Sequence, residues 1–189
     1  MRNKTLLPVL IGFQLLIILG MLGKAMYPLL NGRAVELAVV AYDPRDIFRG
    51  NYVALTYDFN AIDLSQVPND IPEDYACNYG DVFYVELKQD GDLYKTAGVW
   101  QSPPTNGAPF IKTIAGHNFF SSGTLWLNGG IETYFTDPKS ARELEDEIRQ
   151  IPIDTSATPL VTVTVKVTSG GAARIQKLNV KSPEMETKP

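Results

Sequence analysis

The sequence predicts an α+β fold: a mainly antiparallel β domain with one packed helix, preceded by a single N-terminal transmembrane helix. Three observations predict it. Thr5 to Gly23 is a 19-residue run without a charged side chain, long enough to cross a bilayer core as a helix. From Ala34 onward, short runs rich in Val, Thr, Tyr and Ile are separated by Gly, Pro, Asn and Asp, the pattern of strands joined by turns. Outside the anchor, only the stretch from Asp137 to about Arg149 carries helix start signals together with an apolar stripe, Ala141, Leu144 and Ile148.

The anchor comes first. At about 1.5 Å per residue its 19 residues span about 28 Å, against a hydrocarbon core of about 30 Å. Pro8 stands in the first turns, where a missing N–H costs little. Arg2 and Lys4 precede the run and Lys24 and Arg33 follow it; with so short a tail, the bias favours a cytoplasmic N-terminus and an extracytoplasmic C-terminal domain. The rival reading is a signal peptide cleaved after Ala25, but such apolar cores run to about 7–15 residues and this one is longer. The expectation is therefore a retained, single-pass anchor in the cell (inner) membrane, touching the bilayer through residues 5–23. Residues 1–33 form the tail and anchor, 34–181 a β-rich domain, and 182–189 a polar tail that reads as disordered.

Charge divides along the same boundary. The first 33 residues hold four of the 17 basic side chains and no acid, so the rest carries a formal −8 from 13 bases and 21 acids. A domain of that sign without a basic cluster is a poor partner for nucleic acid, which is bound through Lys and Arg. One Cys and one His exclude an intrachain disulfide, a cysteine-rich zinc site and a two-histidine metal site within this chain. No cofactor is implied.

Within the domain, Val35 to Tyr42 reads as a strand ended by Asp43-Pro44. Tyr52 to Phe59 alternates as a second strand. Ala61 to Tyr79, with two prolines, reads as a loop containing a short helix. Asp81 to Lys88 and Leu93 to Trp100 form a hairpin about Asp90-Gly91. Ser102 to Pro109 is a proline-rich loop. Phe110 to Ala115 and Thr124 to Leu127 are short strands separated by a Gly/Ser-rich turn. Asn128-Gly129-Gly130 turns the chain into Ile131 to Thr136. Asp137 then caps a helix with Pro138 at its first position. Leu160 to Thr168 and Ala172 to Val180 form a final hairpin about Gly170-Gly171. Whether the sheet is a sandwich or a partly closed barrel is left open by the pattern.

The segment from Asp43 to Tyr57 is the most distinctive. Gly50 and Asn51 suit a tight approach to the following strand. Along that strand Tyr52, Ala54 and Thr56 face one side and Val53, Leu55 and Tyr57 the other. Before it, Asp43, Arg45, Asp46 and Arg49 crowd one loop. One reading is a self-satisfied turn, its acids accepting backbone N–H groups and pairing with the arginines. Another is a recognition site, since Arg45 and Arg49 offer planar forks to a carboxylate or phosphate. A third gives the acids a catalytic role. Glu132, read in a strand, shares a face with Tyr134, opposite Ile131, Thr133 and Phe135. It is either an exposed strand residue or a partly buried carboxylate pairing with Arg45 or Arg49, which joins the two segments in space.

Gly50 to Tyr57 resembles the motif of the bacterial GDYXXLXY family. Tyr52, Leu55 and Tyr57 match it, and Asn51 stands where the family has Asp. Gly130-Ile131-Glu132 resembles the family's downstream Gly-Ile-Glu segment, and the lone anchor and the Gly171-Ala172-Ala173 hairpin also fit. The resemblance implies a membrane-anchored protein of uncharacterised activity, often encoded beside multi-pass membrane proteins. The Asn51 departure weakens any role that needs a carboxylate there.

Catalytic constellations are weak. Cys77 and His117 form the only thiol–imidazole combination, with Cys77 in an acidic loop that raises its pKa. No Ser stands between the anchor and Ser65, against a Ser–Lys peptidase. No phosphate-binding glycine loop precedes a helix. The reading is a non-catalytic accessory or interaction subunit of a membrane assembly, partnered by a multi-pass membrane protein. Arg45, Asp46, Arg49, Gly50, Asn51, Tyr52, Leu55, Tyr57 and Glu132 are its interaction or scaffold residues. The alternatives are a binding module for a small anionic ligand and a carboxylate-dependent enzyme of the envelope.

Overall fold

A computed structural model describes residues 6–40, 52–72, 75–121, 123–135 and 161–180. The apolar run forms one helix, α1 (Leu6–Asn31), eight residues longer at its C-terminal end than the charge-free run. It is long and apolar enough to cross a membrane, and none of its apolar window is buried against the rest of the chain. Pro28 lies inside it but is buried at the junction with the domain. There Gly32 donates its N–H to the Pro28 carbonyl at 2.8 Å. A Cβ on Gly32 would stand 3.0 Å from backbone atoms of Lys166 and Val167.

Beyond it the strands are β1 (Arg33–Ala38), β2 (Tyr52–Ala54), β3 (Ala61–Asp63), β4 (Val82–Asp90), β5 (Leu93–Trp100), β6 (Phe110–Ser121), β7 (Thr124–Asn128), β8 (Thr133–Phe135), β9 (Val161–Val167) and β10 (Ala173–Val180). Eight of them form one sheet, ordered β10-β9-β1-β5-β4-β6-β7-β3, and β2 pairs with β8 in a separate ribbon. All named pairs are antiparallel except β1 with β5. The fold class is as the sequence predicts: an apolar N-terminal helix followed by a mainly antiparallel sheet. The expected helix from Asp137 to Arg149 and the tail from Ser182 lie outside the described residues.

Period-2 burial builds the core. Val35 and Leu37 of β1, Phe83, Val85 and Leu87 of β4, Ile111 and Ala115 of β6, Leu125 and Leu127 of β7, and Val163, Val165 and Val167 of β9 are all buried. Thr113, buried on the same face of β6, donates its hydroxyl to the Phe83 carbonyl at 3.1 Å, so its burial costs little. The sheet coils: the Lys112 N–H on β6 donates to the Gly171 carbonyl in the β9–β10 turn at 2.9 Å, although four strands separate β6 from β10.

Gly171 has φ +80°, and a Cβ there would stand 2.8–2.9 Å from the Phe110 ring and the Lys112 nitrogen. Left-handed backbone and steric conflict then add, so Gly171→Ala is expected to destabilise the protein by about 2–4 kcal/mol. Urea unfolding of the full chain in detergent checks this; a loss below about 0.5 kcal/mol would show that the turn is not tied to β6 in this way.

Three sequence expectations are corrected. Tyr52 to Phe59 is not one strand: pairing stops at Ala54, and Asp58–Asn60 form a 3-10 turn before β3. The reason is Asn60, whose Oδ1 accepts the Tyr57 N–H at 2.7 Å and so draws the chain out of the extended form. The strand from Phe110 does not end at Ala115, and the Gly/Ser-rich turn narrows to the C-terminal end of its stretch. β6 continues to Ser121, with a register shift between Ala115 and Phe120, and the reversal falls at Gly123, φ +81°. Ile131 and Glu132 are not in a strand with Thr133. β8 begins at Thr133, so Ile131 is buried while Thr133 and Phe135 are exposed.

Candidate functional site

The two motif-like segments meet. In the β2–β8 ribbon Tyr52 lies opposite Phe135, Val53 opposite Tyr134 and Ala54 opposite Thr133. One residue on, the Leu55 N–H donates to the Glu132 carbonyl at 2.8 Å. The alternation read from the sequence persists past the ribbon: Ala54 is exposed, while Leu55 and Tyr57 are 3% and 2% exposed. Leu55 and Tyr57, just past the end of β2, thus enter the core.

Tyr57 is anchored at both ends. Its ring stacks on Phe59, centroids 5.1 Å apart and planes 8° apart. Its hydroxyl donates to the buried Ile131 carbonyl at 2.9 Å. Burial, and secondarily the Glu132 carboxylate, push its phenol well above the ordinary tyrosine range, so Tyr57 stays a neutral donor at physiological pH.

Glu132 sits in the bend before β8, half-buried, with its carboxylate turned back over the preceding turn. Oε1 accepts the Gly129 N–H at 2.6 Å and the Asn60 Nδ2 at 2.9 Å. The Asn128 amide, its nitrogen assigned toward the carboxylate by the surrounding acceptors, donates at 2.6 Å to Oε2 and 3.0 Å to Oε1. Asn60 is the hub. Its Nδ2 also donates to the Leu127 carbonyl at 2.9 Å, and its Oδ1 holds the Tyr57 N–H. Gly129 is closely packed: a Cβ there would lie 3.2–3.3 Å from Phe59 and Ile111 side-chain atoms, which would have to shift by a few tenths of an ångström. One carboxylate and one amide therefore bind three pieces of chain: the end of the motif strand with its 3-10 turn, the end of β7, and the 128–132 turn.

Of the sequence-derived candidates, Leu55, Tyr57 and Glu132 come together, and the Tyr52 backbone joins them through the ribbon. Arg45, Asp46, Arg49, Gly50 and Asn51 lie outside the described residues. So does the expected pairing of Glu132 with Arg45 or Arg49; the partners that the structure gives Glu132 are two asparagine amides and a backbone N–H. Sequence reading missed Asn60, Asn128 and Gly129. Asn60 had a signal, an amide three residues beyond the motif's last Tyr. Asn128-Gly129 was legible only as a turn.

Elsewhere, Cys77 is a buried free thiol whose pKa is raised by burial and then by Asp81. The Tyr75 phenol is raised first by its hydrogen bond to Asp81, at 2.9 Å. Among the described residues no group of three or more His, Cys, Asp or Glu side chains is placed to hold a metal ion.

Outside the core, the sheet carries an exposed apolar row. Val82 of β4 pairs with Ile114 of β6, Ile114 with Asn128 of β7, and Trp126, two residues back along β7, with Ala61 of β3. Val82, Ile114 and Trp126 are 37%, 41% and 44% exposed. Asn128 links this face to the Glu132 carboxylate behind it.

No curated protein and no solved structure matches this sequence. A family model, described as GDYXXLXY protein, matches residues 14–178. That span covers most of α1, the motif strand, the Glu132 bend and nearly all of β10, so the chain belongs to the GDYXXLXY protein family.

Proposed function

We propose that this protein is a membrane-anchored, non-catalytic accessory subunit whose β-rich domain stands on the extracytoplasmic side of the inner membrane and docks a multi-pass membrane protein. The observation that carries the reading is the division of labour between the two faces of the sheet. Inside, Glu132 accepts from three donors and Tyr57 is held as a neutral donor to backbone, the arrangement of a scaffold. Outside, Val82, Ile114 and Trp126 present apolar and aromatic surface across three strands, the residue types from which binding hot spots are built. The exposed helix α1 supplies a second apolar surface, at bilayer depth.

The test is purification of the full-length protein from native membranes in mild detergent, with mass spectrometry of what accompanies it. A multi-pass protein at about one copy per chain is expected. Recovery of the protein alone, after crosslinking in cells as well, would overturn the proposal.

A further inference from the structure

A cleft of about 470 Å³ lies where α1 meets the domain. Its walls are the last turn of α1 (Tyr27, Asn31), Arg33 at the start of β1, the proline-rich loop, and the end of β9 with its turn. Its lining includes one cation, Arg33, and no acid, in a domain whose formal charge is strongly negative. We propose that this cleft holds the phosphodiester headgroup of a phospholipid from the leaflet on the domain's side of the membrane.

Three features support it independently. The first is height. Asn31 is eight residues beyond Gly23, about 12 Å along the helix, and Met26, Leu29 and Leu30 keep the helix surface apolar and exposed up to the cleft. The close approach of Gly32 to the Lys166–Val167 backbone leaves no room for a spacer, so the cleft is held at headgroup level when α1 spans the bilayer. The second is charge. Arg33 spends one donor on the Tyr94 hydroxyl at 3.0 Å and lies over that ring at 5.8 Å. This orients the guanidinium and leaves its other N–H groups for phosphate oxygens. Lys24 stands at i−3 from Tyr27 and i−7 from Asn31, on the same helix face. Exposed there, it does not join the cleft's lining, which keeps Arg33 as its cation. The third is an amphipathic lining: Thr105, Ser169 and Asn31 are polar and exposed, and they adjoin the exposed apolar surface of α1.

The experiment uses the full chain in mild detergent and dioctanoylphosphatidylglycerol as probe, with native mass spectrometry counting bound lipid. One lipid per chain is expected to bind ahead of the rest. Arg33→Gln should weaken that first binding about tenfold, the worth of a charge-assisted hydrogen bond. Thr105→Trp, on an exposed loop residue, should block it sterically while leaving thermal stability unchanged, so the test stands even if the arginine variant folds poorly. Inorganic phosphate at equal concentration should not compete. Unchanged lipid binding in Thr105→Trp would overturn the proposal. Displacement of the lipid by inorganic phosphate would overturn it too, showing a free-anion site instead.

Discussion

Glu132→Ala is expected to destabilise the full-length protein by about 3 kcal/mol in urea unfolding, while Glu132→Gln costs about 1 kcal/mol. Alanine removes the acceptor shared by Asn60 and Gly129 and the partner of Asn128. Asn60 is buried, and its amide nitrogen keeps only its bond to the Leu127 carbonyl, so one of its N–H donors is left unmet where water enters poorly. Glutamine keeps one oxygen for Asn60 and Gly129, and the exposed Asn128 amide turns over to accept from its new NH2. The separation between the two variants is the informative quantity. Losses that agree within about 0.5 kcal/mol would mean that the carboxylate merely fills space and the network does not hold the turn.

Tyr57→Ala is expected to cost about 4 kcal/mol, as deletion of a large buried aromatic does. The ring is 2% exposed and stacked on Phe59. Tyr57→Phe keeps the ring and loses the bond to Ile131, leaving a buried carbonyl short of a donor at about 1 kcal/mol. The same phenol gives a pH signature. Its folded pKa is raised above the ordinary tyrosine value of about 10, so the unfolded chain loses this proton first as pH rises. The stability that Tyr57 contributes is complete below about pH 10 and is lost as pH climbs toward the folded value. Wild type should therefore weaken more steeply than Tyr57→Phe above pH 10. Parallel curves for the two proteins, measured by denaturant midpoint, would contradict the buried assignment.

The parts of the fold legible in the sequence were those set by local pattern. The N-terminal helix, long and apolar enough to cross a membrane, followed from a run without a charged side chain. The β4–β5 and β9–β10 hairpins followed from alternation around Asp90-Gly91 and Gly170-Gly171, and they form as read. That Leu55 and Tyr57 share a face followed from period 2; which face enters the core did not. What failed depended on partners distant in sequence. The break after Ala54 is enforced by Asn60, whose amide is held from 67 and 72 residues away by Leu127 and Glu132. The extension of β6 through Gly116 depends on β7 accepting a register shift. Pairing of β1 with β5 crosses the intervening ribbon and 3-10 turn and leaves no local trace. For the site, the motif tyrosine and the downstream Glu were both read as candidates, but their roles as internal supports came only from seeing Asn60 and Asn128 between them.

On the proposed function, the motif holds the domain together while the outer row of the sheet meets the partner. The most direct measurement compares two full-length variants in the native membrane: Tyr57→Phe inside the motif and Trp126→Ser on the 44%-exposed outer face. Partner recovered per folded chain is quantified by mass spectrometry, with thermal stability measured alongside. The account predicts that Tyr57→Phe unfolds earlier yet brings down partner at the wild-type ratio, and that Trp126→Ser keeps its stability and loses about tenfold of its partner, as an aromatic hot spot worth over 1 kcal/mol does. Loss of partner in a folded Tyr57→Phe, with Trp126→Ser unaffected, would contradict it.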